Sequence, residues 1–311
     1  MKFTFLGAGA VGGYYGALLA RAGHDVAFVA RGAHLEAIRR HGIKVVSGAV
    51  GDFTAAVAAD ADPAKLRPAD VAILTTKTYD NPTALPALRA LVSPQAAALT
   101  LQNGVDSADE VAAVVGEAAT LAGATYIATA IDAPGVIRQT GDHRRIVFGE
   151  VFDPKTAPTP RVMAVHDAFK SAGIVSDPVA DARPSLWEKF VYLAPFAAVT
   201  GASRLPLGPI WADETSRAVF EDAIAEVAAV ARASGVALPD DVVARIQKYS
   251  SAIPPTTRSS LLIDLSNGKR IEVESLAGSV VRRGAALGVQ TPIMRALYGV
   301  LKPHANGAAA I

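Results

Sequence analysis

Cysteine is absent from the 311 residues, which excludes disulfides, a thiolate nucleophile and cysteine metal sites while saying little about compartment. Histidine is sparse: the six, at 24, 34, 41, 143, 166 and 304, are scattered without ligand spacing, and no metal site is expected. Charge of one sign is also lacking. A formal net charge of +1 is not the footprint of a nucleic-acid binder, so no nucleic-acid partner is expected. Long apolar runs are missing too, since the stretch from Leu193 to Val199 is broken by Pro195 and falls far short of the roughly 20 residues that span a bilayer. No membrane partner is expected. The first strand begins at residue 2, leaving no room ahead of it for a cleavable leader, and the cytoplasm is the expected compartment. What is present, 51% hydrophobic residues over this length, suffices for two domains, each with its own core.

The most informative segment is the first. An apolar strand, Lys2 to Leu6, runs into Gly7-Ala8-Gly9-Ala10-Val11-Gly12 and then into the amphipathic run Tyr14 to Ala22, closed by Gly23. In a strand, turn and helix of this kind the first glycine permits the tight turn, the second lets backbone approach a pyrophosphate, and the third lets helix pack on sheet. The pyrophosphate would rest on the positive end of the helix. Residues Gly7 to Gly12 are therefore candidate dinucleotide ligands.

Strand-type runs follow at Val26–Ala30, Val71–Thr75, Ala97–Leu101 and Leu121–Ala128, alternating with helix-compatible segments at Tyr79–Leu91 and Ala108–Val115. This alternation predicts a parallel sheet. Ile137–Gln139 and Ile146–Glu150, around Thr140-Gly-Asp-His143, read as an added hairpin, and the proline-bearing segment Ser176–Ser185 reads as the domain boundary. Beyond it the pattern is helical: Leu186–Val199, Glu214–Ala233, Asp240–Ser250, Thr256–Leu265, Arg270–Ala286 and Pro292–Leu301, with a tail from Asn306 to Ala310 expected to fray. The expected architecture is an α/β Rossmann-type domain over 1–178 and an all-α domain over 182–311.

Several residues could carry chemistry. An NAD enzyme places an acid at the end of the second strand, about 20 residues past the glycines; here stand Ala30 and Arg31. The missing acid removes repulsion against a 2′-phosphate and the guanidinium can pair with one, which favours NADP(H); the alternative is a solvated arginine opening the next loop. Lys77 and Asn103 follow strand ends, where ligands of open α/β sheets bind; Lys77 could bind an anionic substrate or a cofactor phosphate and the Asn103 amide could reach the nicotinamide or the substrate, although either could be a solvated loop residue. Ser185 and Glu188 have the spacing of a capping box. Lys189, with Leu193 and Ala197 on its helical face, either snorkels its ammonium to water or faces a cleft, where desolvation would lower its pKa and suit it to general acid work. Ser260 and Asp264 share a face, and Glu272 falls in the first turn of the expected next helix, where the dipole alone favours a carboxylate. Spacing by itself gives Ser260 and Glu272 structural roles.

Taken in order, the glycine turn, Arg31, Lys77-Thr78, Asn103-Gly104, Trp187-Glu-Lys189-Phe, Ser259-Ser260 and the Glu272 segment ending at Gly278 resemble the ketopantoate reductase family over nearly the whole chain. The resemblance implies NADPH-dependent reduction of 2-dehydropantoate (ketopantoate) to (R)-pantoate, on the route to pantothenate and coenzyme A, with NADPH/NADP+ as cofactor. It also implies roles. Lys189 would be the general acid; Glu272 would orient the substrate and help hold the cofactor or Lys189; Ser260 would bind the substrate carboxylate. Asn103 would contact nicotinamide and substrate, with Lys77 nearby to attract the acid. The chain departs from the family where asparagines usually stand four and eight residues after the lysine: it has Leu193 and Ala197. That departure favours a related reductase of a less polar 2-oxo acid or ketone, beside a third reading as a non-catalytic NADP(H) sensor. The partner expected is a small 2-oxo acid, and the apolar helical domain permits a homodimer.

Overall fold

The computed structural model describes residues 1–307; the tail expected to fray lies, from Ala308 onward, outside the described residues. Two compact units emerge, one of Met1–Gln102 and Ser107–Ala182, the other of Asn103–Asp106 and Arg183 onward. The first contains β1 (Lys2–Leu6), α1 (Ala10–Arg21), β2 (Asp25–Val29), α2 (Gly32–His41), β3 (Ile43–Ser47), β4 (Phe53–Ala55), β5 (Ala58–Asp60) and β6 (Ala69–Leu74). It continues with α3 (Asn81–Leu91), β7 (Val92–Thr100), α4 (Ser107–Val115), β8 (Thr120–Ala133), β9 (Val136–Glu150), α5 (Pro160–Ser171) and β10 (Val175–Asp181).

Its sheet runs β4-β3-β9-β8-β7-β6-β1-β2-β5, with β10 beside β9. From β5 through β8 the pairs are parallel, as the alternation of apolar strands and helices requires. Helix α1 is buried from Gly12 to Leu19, and its small residues let the sheet come close on more than one side. A Cβ on Gly16 would lie 2.3 Å from the Phe28 ring. Phe3, Phe5, Phe28, Phe148 and Phe169 fill the core around it.

The expected hairpin around residues 140–143 is not formed. β8 and β9 instead make one long antiparallel ribbon that turns at Pro134-Gly135, and the register steps from Ile127↔Arg144 to Ala128↔Thr140. Gly141, Asp142 and His143 thus bulge out of a continuous strand, and β8 keeps a partner along nearly its full length. The segment expected to be an irregular boundary is also regular in its first half. β10 pairs in parallel with Arg145–Glu150 of β9, and Pro178, which has no N–H to donate, is tolerated on a strand with a single neighbour.

The second unit is helical: α6 (Arg183–Ser203), α7 (Leu207–Ala212), α8 (Glu214–Ala233), α9 (Val242–Ala252), α10 (Ser260–Ser266), α11 (Ser279–Leu287) and α12 (Pro292–Leu301). Helix α6 packs against α8, α9, α10 and α12 and is buried continuously from Ala194 to Gly201. It starts at Arg183, with Pro184 in its first turn where the missing N–H costs nothing. Ser185 is therefore inside the helix, the expected capping box is not made, and Glu188 pairs with Arg245 of α9 instead. The helix expected from Arg270 is delayed as well. A π-helical turn, Glu274–Gly278, precedes α11, so Glu272 stands ahead of the helix and not in its first turn.

Candidate active site

In the first unit the strand-to-helix turn is built without side chains. Gly7 has φ +110°, a left-handed value that favours glycine, and Gly9 caps α1 with no side-chain hydrogen bond and no acidic residue in the first turn. The N–H groups of the first helical turn have no intrahelical acceptor and point toward any anion placed there. Gly12 has no room for a Cβ, which would fall 2.3 Å from both the Gly7 carbonyl and Thr75 Oγ1, whereas one on Gly9 would meet nothing within 4 Å. One glycine is required by packing and the other leaves a space for phosphate, so the turn fits a pyrophosphate.

Three further side chains hold this turn and the loop beside it in place. Thr75 Oγ1 donates to the Gly7 carbonyl at 2.8 Å. His34 Nδ1 accepts from the Gly135 N–H at 3.0 Å, which leaves Nε2–H to donate to the Ala8 carbonyl at 2.7 Å. Gln102 Nε2 donates to the Thr76 carbonyl at 2.8 Å and to Asn81 Oδ1 at 2.7 Å, tying the end of β7 to the loop after β6. Nothing in the sequence marks His34 apart from five other histidines; its role depends on a turn 101 residues away.

Arg31 is exposed at the N-cap of α2, just past β2. An acid does stand near that strand end, Asp60 of β5, but its carboxylate is engaged by Arg39 at 2.6 Å and by the Asp62 N–H at 2.9 Å. These contacts hold its pKa below the usual value, the Asp62 N–H being the largest cause. The residue available to a ribose substituent is thus a cation, which fits a 2′-phosphate. Lys77 is half-buried at the start of a single 3-10 turn, Thr78–Asp80.

The second unit assembles a different group. Lys189, half-buried on α6, donates from Nζ to Asn103 Oδ1 at 2.9 Å. Asn103 reaches it because 103–106 is fastened to this unit: a Cβ on Gly104 would lie 2.9 Å from the Ser275 carbonyl, and Asp106 accepts from Arg283 Nε at 2.7 Å. Burial lowers the Lys189 pKa to about 8, against the pull of the Glu272 carboxylate, which raises it. Glu272 is itself buried and is held at its backbone carbonyl by the Leu276 N–H (3.2 Å) and Ser275 Oγ (3.3 Å). Ser260 is exposed at the first position of α10. Its neighbour Ser259 is the buried one, hydrogen-bonded to Thr200 of α6 at 2.7 Å, so the start of α10 is pinned to the helix of the lysine. Lys189, Asn103 and Glu272 are thus brought together, Ser260 is anchored through Ser259, and Gly7 to Gly12, Arg31 and Lys77 belong to the other unit.

A glycine turn on a parallel sheet, followed in the same chain by helices that hold a lysine of lowered basicity, is compatible with a nucleotide-dependent oxidoreductase, and the relatives show that class: the protein is an NADP-dependent oxidoreductase. Two family models cover most of the sequence, "Ketopantoate reductase PanE/ApbA" over residues 3–152 and its C-terminal counterpart over 181–305. The chain belongs to the ketopantoate reductase family, whose cofactor is NADPH. It is 32% identical to a 2-dehydropantoate 2-reductase of Caulobacter vibrioides over 98% of the chain and 99% of that relative. Among solved structures, a PanE/ApbA family ketopantoate reductase from Ralstonia eutropha superposes with a TM-score of 0.88 at 34% identity, over 97% of this chain and 98% of that one. A 2-dehydropantoate 2-reductase from Geobacter metallireducens does so with 0.90 at 30% identity, over 97% and 99%.

Proposed function

We propose that this protein reduces the C2 carbonyl of a 2-oxo acid to the alcohol, with Lys189 as the general acid and 2-dehydropantoate, the substrate in its relatives' names, as the first candidate. The observation that carries the reading is the Lys189 ammonium, held by Asn103 at 2.9 Å and lowered by burial to about 8. NADPH, when bound, supplies the hydride. Gly7 to Gly12 would hold its pyrophosphate and Arg31 its 2′-phosphate.

The remaining work falls to the second unit. As C2 gains a hydride its oxygen becomes an alkoxide, and Lys189 Nζ gives it a proton, leaving a neutral amine that solvent reprotonates. Before transfer the ammonium stabilises the developing negative charge. Asn103 fixes the lysine's direction by accepting one of its three N–H bonds, and the buried Glu272 keeps it protonated near neutral pH. Ser260, at the N-terminus of α10, would take the substrate carboxylate.

A second substrate reading has a specific observation behind it. Leu193 is partly buried and Ala197 wholly so, and neither can hydrogen-bond a polar substituent, so a less polar 2-oxo acid fits the lysine's surroundings better. The test of the reaction is Lys189→Ala, expected to abolish NADPH oxidation in the presence of 2-oxo acids while leaving the NADPH dissociation constant within about twofold. Unchanged turnover would eliminate Lys189 as the acid.

A further inference from the structure

Past Lys189 the surface of α6 is short. The next partly exposed residues are Tyr192 and Leu193, three and four positions on, and from Ala194 to Gly201 the helix is buried. Positions three and four apart are neighbours on a helix, with Cβ atoms about 5–6 Å from each other, so these two side chains flank the lysine on the side away from the helix start. Neither is an amide. The Tyr192 ring lies parallel to that of buried Phe196, with centroids 5.0 Å apart and an interplanar angle of 16°. A second ring meets it edge-on: Tyr249 of α9, at 5.2 Å and 87°.

Tyr249 is held there by more than its own packing. The Arg245–Glu188 ion pair joins the same two helices, and both partners step on by four residues, from Glu188 to Tyr192 and from Arg245 to Tyr249. The two contacts therefore repeat one helical turn apart, which sets the register of α9 along the helix of the lysine. Tyr249 keeps 52% of its surface exposed, which leaves part of its ring open to a further apolar group. Burial, and Tyr249 beside it, push the Tyr192 phenol well above its ordinary range, so Tyr192 stays uncharged at every pH at which the lysine can act.

We propose that Tyr192, Leu193 and Tyr249 form a subsite for the C2 substituent and select an aryl-bearing 2-oxo acid, one with a ring directly on the carbonyl or one carbon removed. The proposal rests on the hydride-transfer reading above and names the substrate class of that same lysine. An aromatic ring offers what the wall can use: a flat apolar face to set against Leu193 and an edge or face to set against two tyrosines. A hydroxylated aliphatic acid offers a hydroxyl that Leu193 would desolvate without replacing its hydrogen bonds.

The test is NADPH oxidation with phenylglyoxylate and phenylpyruvate against 2-oxobutanoate and 2-dehydropantoate, in the wild-type enzyme, Tyr249→Ala and Leu193→Asn. The expected result is a kcat/KM for an aryl acid at least about tenfold above either aliphatic acid, as burial of a ring allows. Tyr249→Ala, at an exposed position, is expected to lower the aryl-to-aliphatic ratio about tenfold, and Leu193→Asn to shift it toward 2-dehydropantoate. Turnover of aliphatic acids with no aryl preference, or a ratio unmoved by Tyr249→Ala, overturns the subsite and leaves the hydride-transfer reading standing. Failure of every 2-oxo acid overturns that reading and the subsite with it.

Discussion

Raising the pH from 7 to 9 is expected to cost the enzyme about tenfold in kcat/KM for 2-oxo acid reduction. The acid form of Lys189 is the working form, and its pKa is lowered to about 8 by burial, so the protonated fraction falls from about 0.9 at pH 7 to about 0.1 at pH 9. The sign follows from which form is needed: activity is full well below 8 and is lost as the pH rises through that value. An ordinary lysine, with a pKa of about 10.4, would still be almost wholly protonated at pH 9 and would give a flat profile. Glu272→Gln sharpens the experiment. The carboxylate opposes the desolvation of the ammonium, and an opposite charge close by is worth about 1–3 pH units; without it the limb should move below 8 by about that much. Initial rates of NADPH oxidation across pH 6–10, at saturating cofactor, read both effects. In the reverse direction the neutral amine is needed, so alcohol oxidation should rise through the same pH. A reduction rate constant from pH 7 to 9.5, or a limb that Glu272→Gln leaves in place, would refute the assignment.

Arg31→Ala should weaken NADPH by about 10- to 100-fold, the value of one charge-assisted contact, and NADH hardly at all; fluorescence titration with both nucleotides checks it, and equal losses would exclude a phosphate contact. Gly12→Ala should destabilise the first unit by about 1–3 kcal/mol in urea unfolding and abolish nucleotide binding, because the new methyl would meet the Gly7 carbonyl and Thr75 Oγ1 at 2.3 Å. Glu226→Ala removes a carboxylate that accepts the Ile293 and Met294 N–H groups at 2.8 and 2.9 Å. It should cost about 1–3 kcal/mol, read as a lower midpoint of denaturation with unchanged selectivity among substrates.

Local signals carried much of this structure. The glycine turn, the strand before it and the parallel core could be read because each depends on residues close in sequence, and Lys77, Asn103 and Lys189 drew attention by standing at strand ends or on an apolar face. What escaped the reading depends on distant partners. β3, β4 and β5 are short, and exist because β9, β3 and β2 respectively supply their ladders. Thr140-Gly-Asp-His143 has turn composition, yet β8 overrides it. Ser185 and Glu188 have capping-box spacing, yet Arg183 and Pro184 begin the helix earlier and Arg245 claims the glutamate. Ser259 and Ser260 look equivalent in sequence; only the position of Thr200 decides which of them is buried.

The arrangement of the sheet has a consequence for how the chain comes off the ribosome. β4 and β5 end the sheet on opposite sides but are adjacent in sequence, separated only by Ala56 and Val57, and β3 cannot be seated until its partner segment Val136–Gln139 has been made. From Lys44 to Val136, its partner across the ladder, synthesis at about 5–20 residues per second takes roughly 5–20 s. For that interval Ile43 and Val45, fully buried in the finished protein, have no β9 to cover them. Slowed translation between residues 60 and 136 should therefore increase aggregation of the nascent chain more than slowing in the helical half, read as the insoluble fraction on expression.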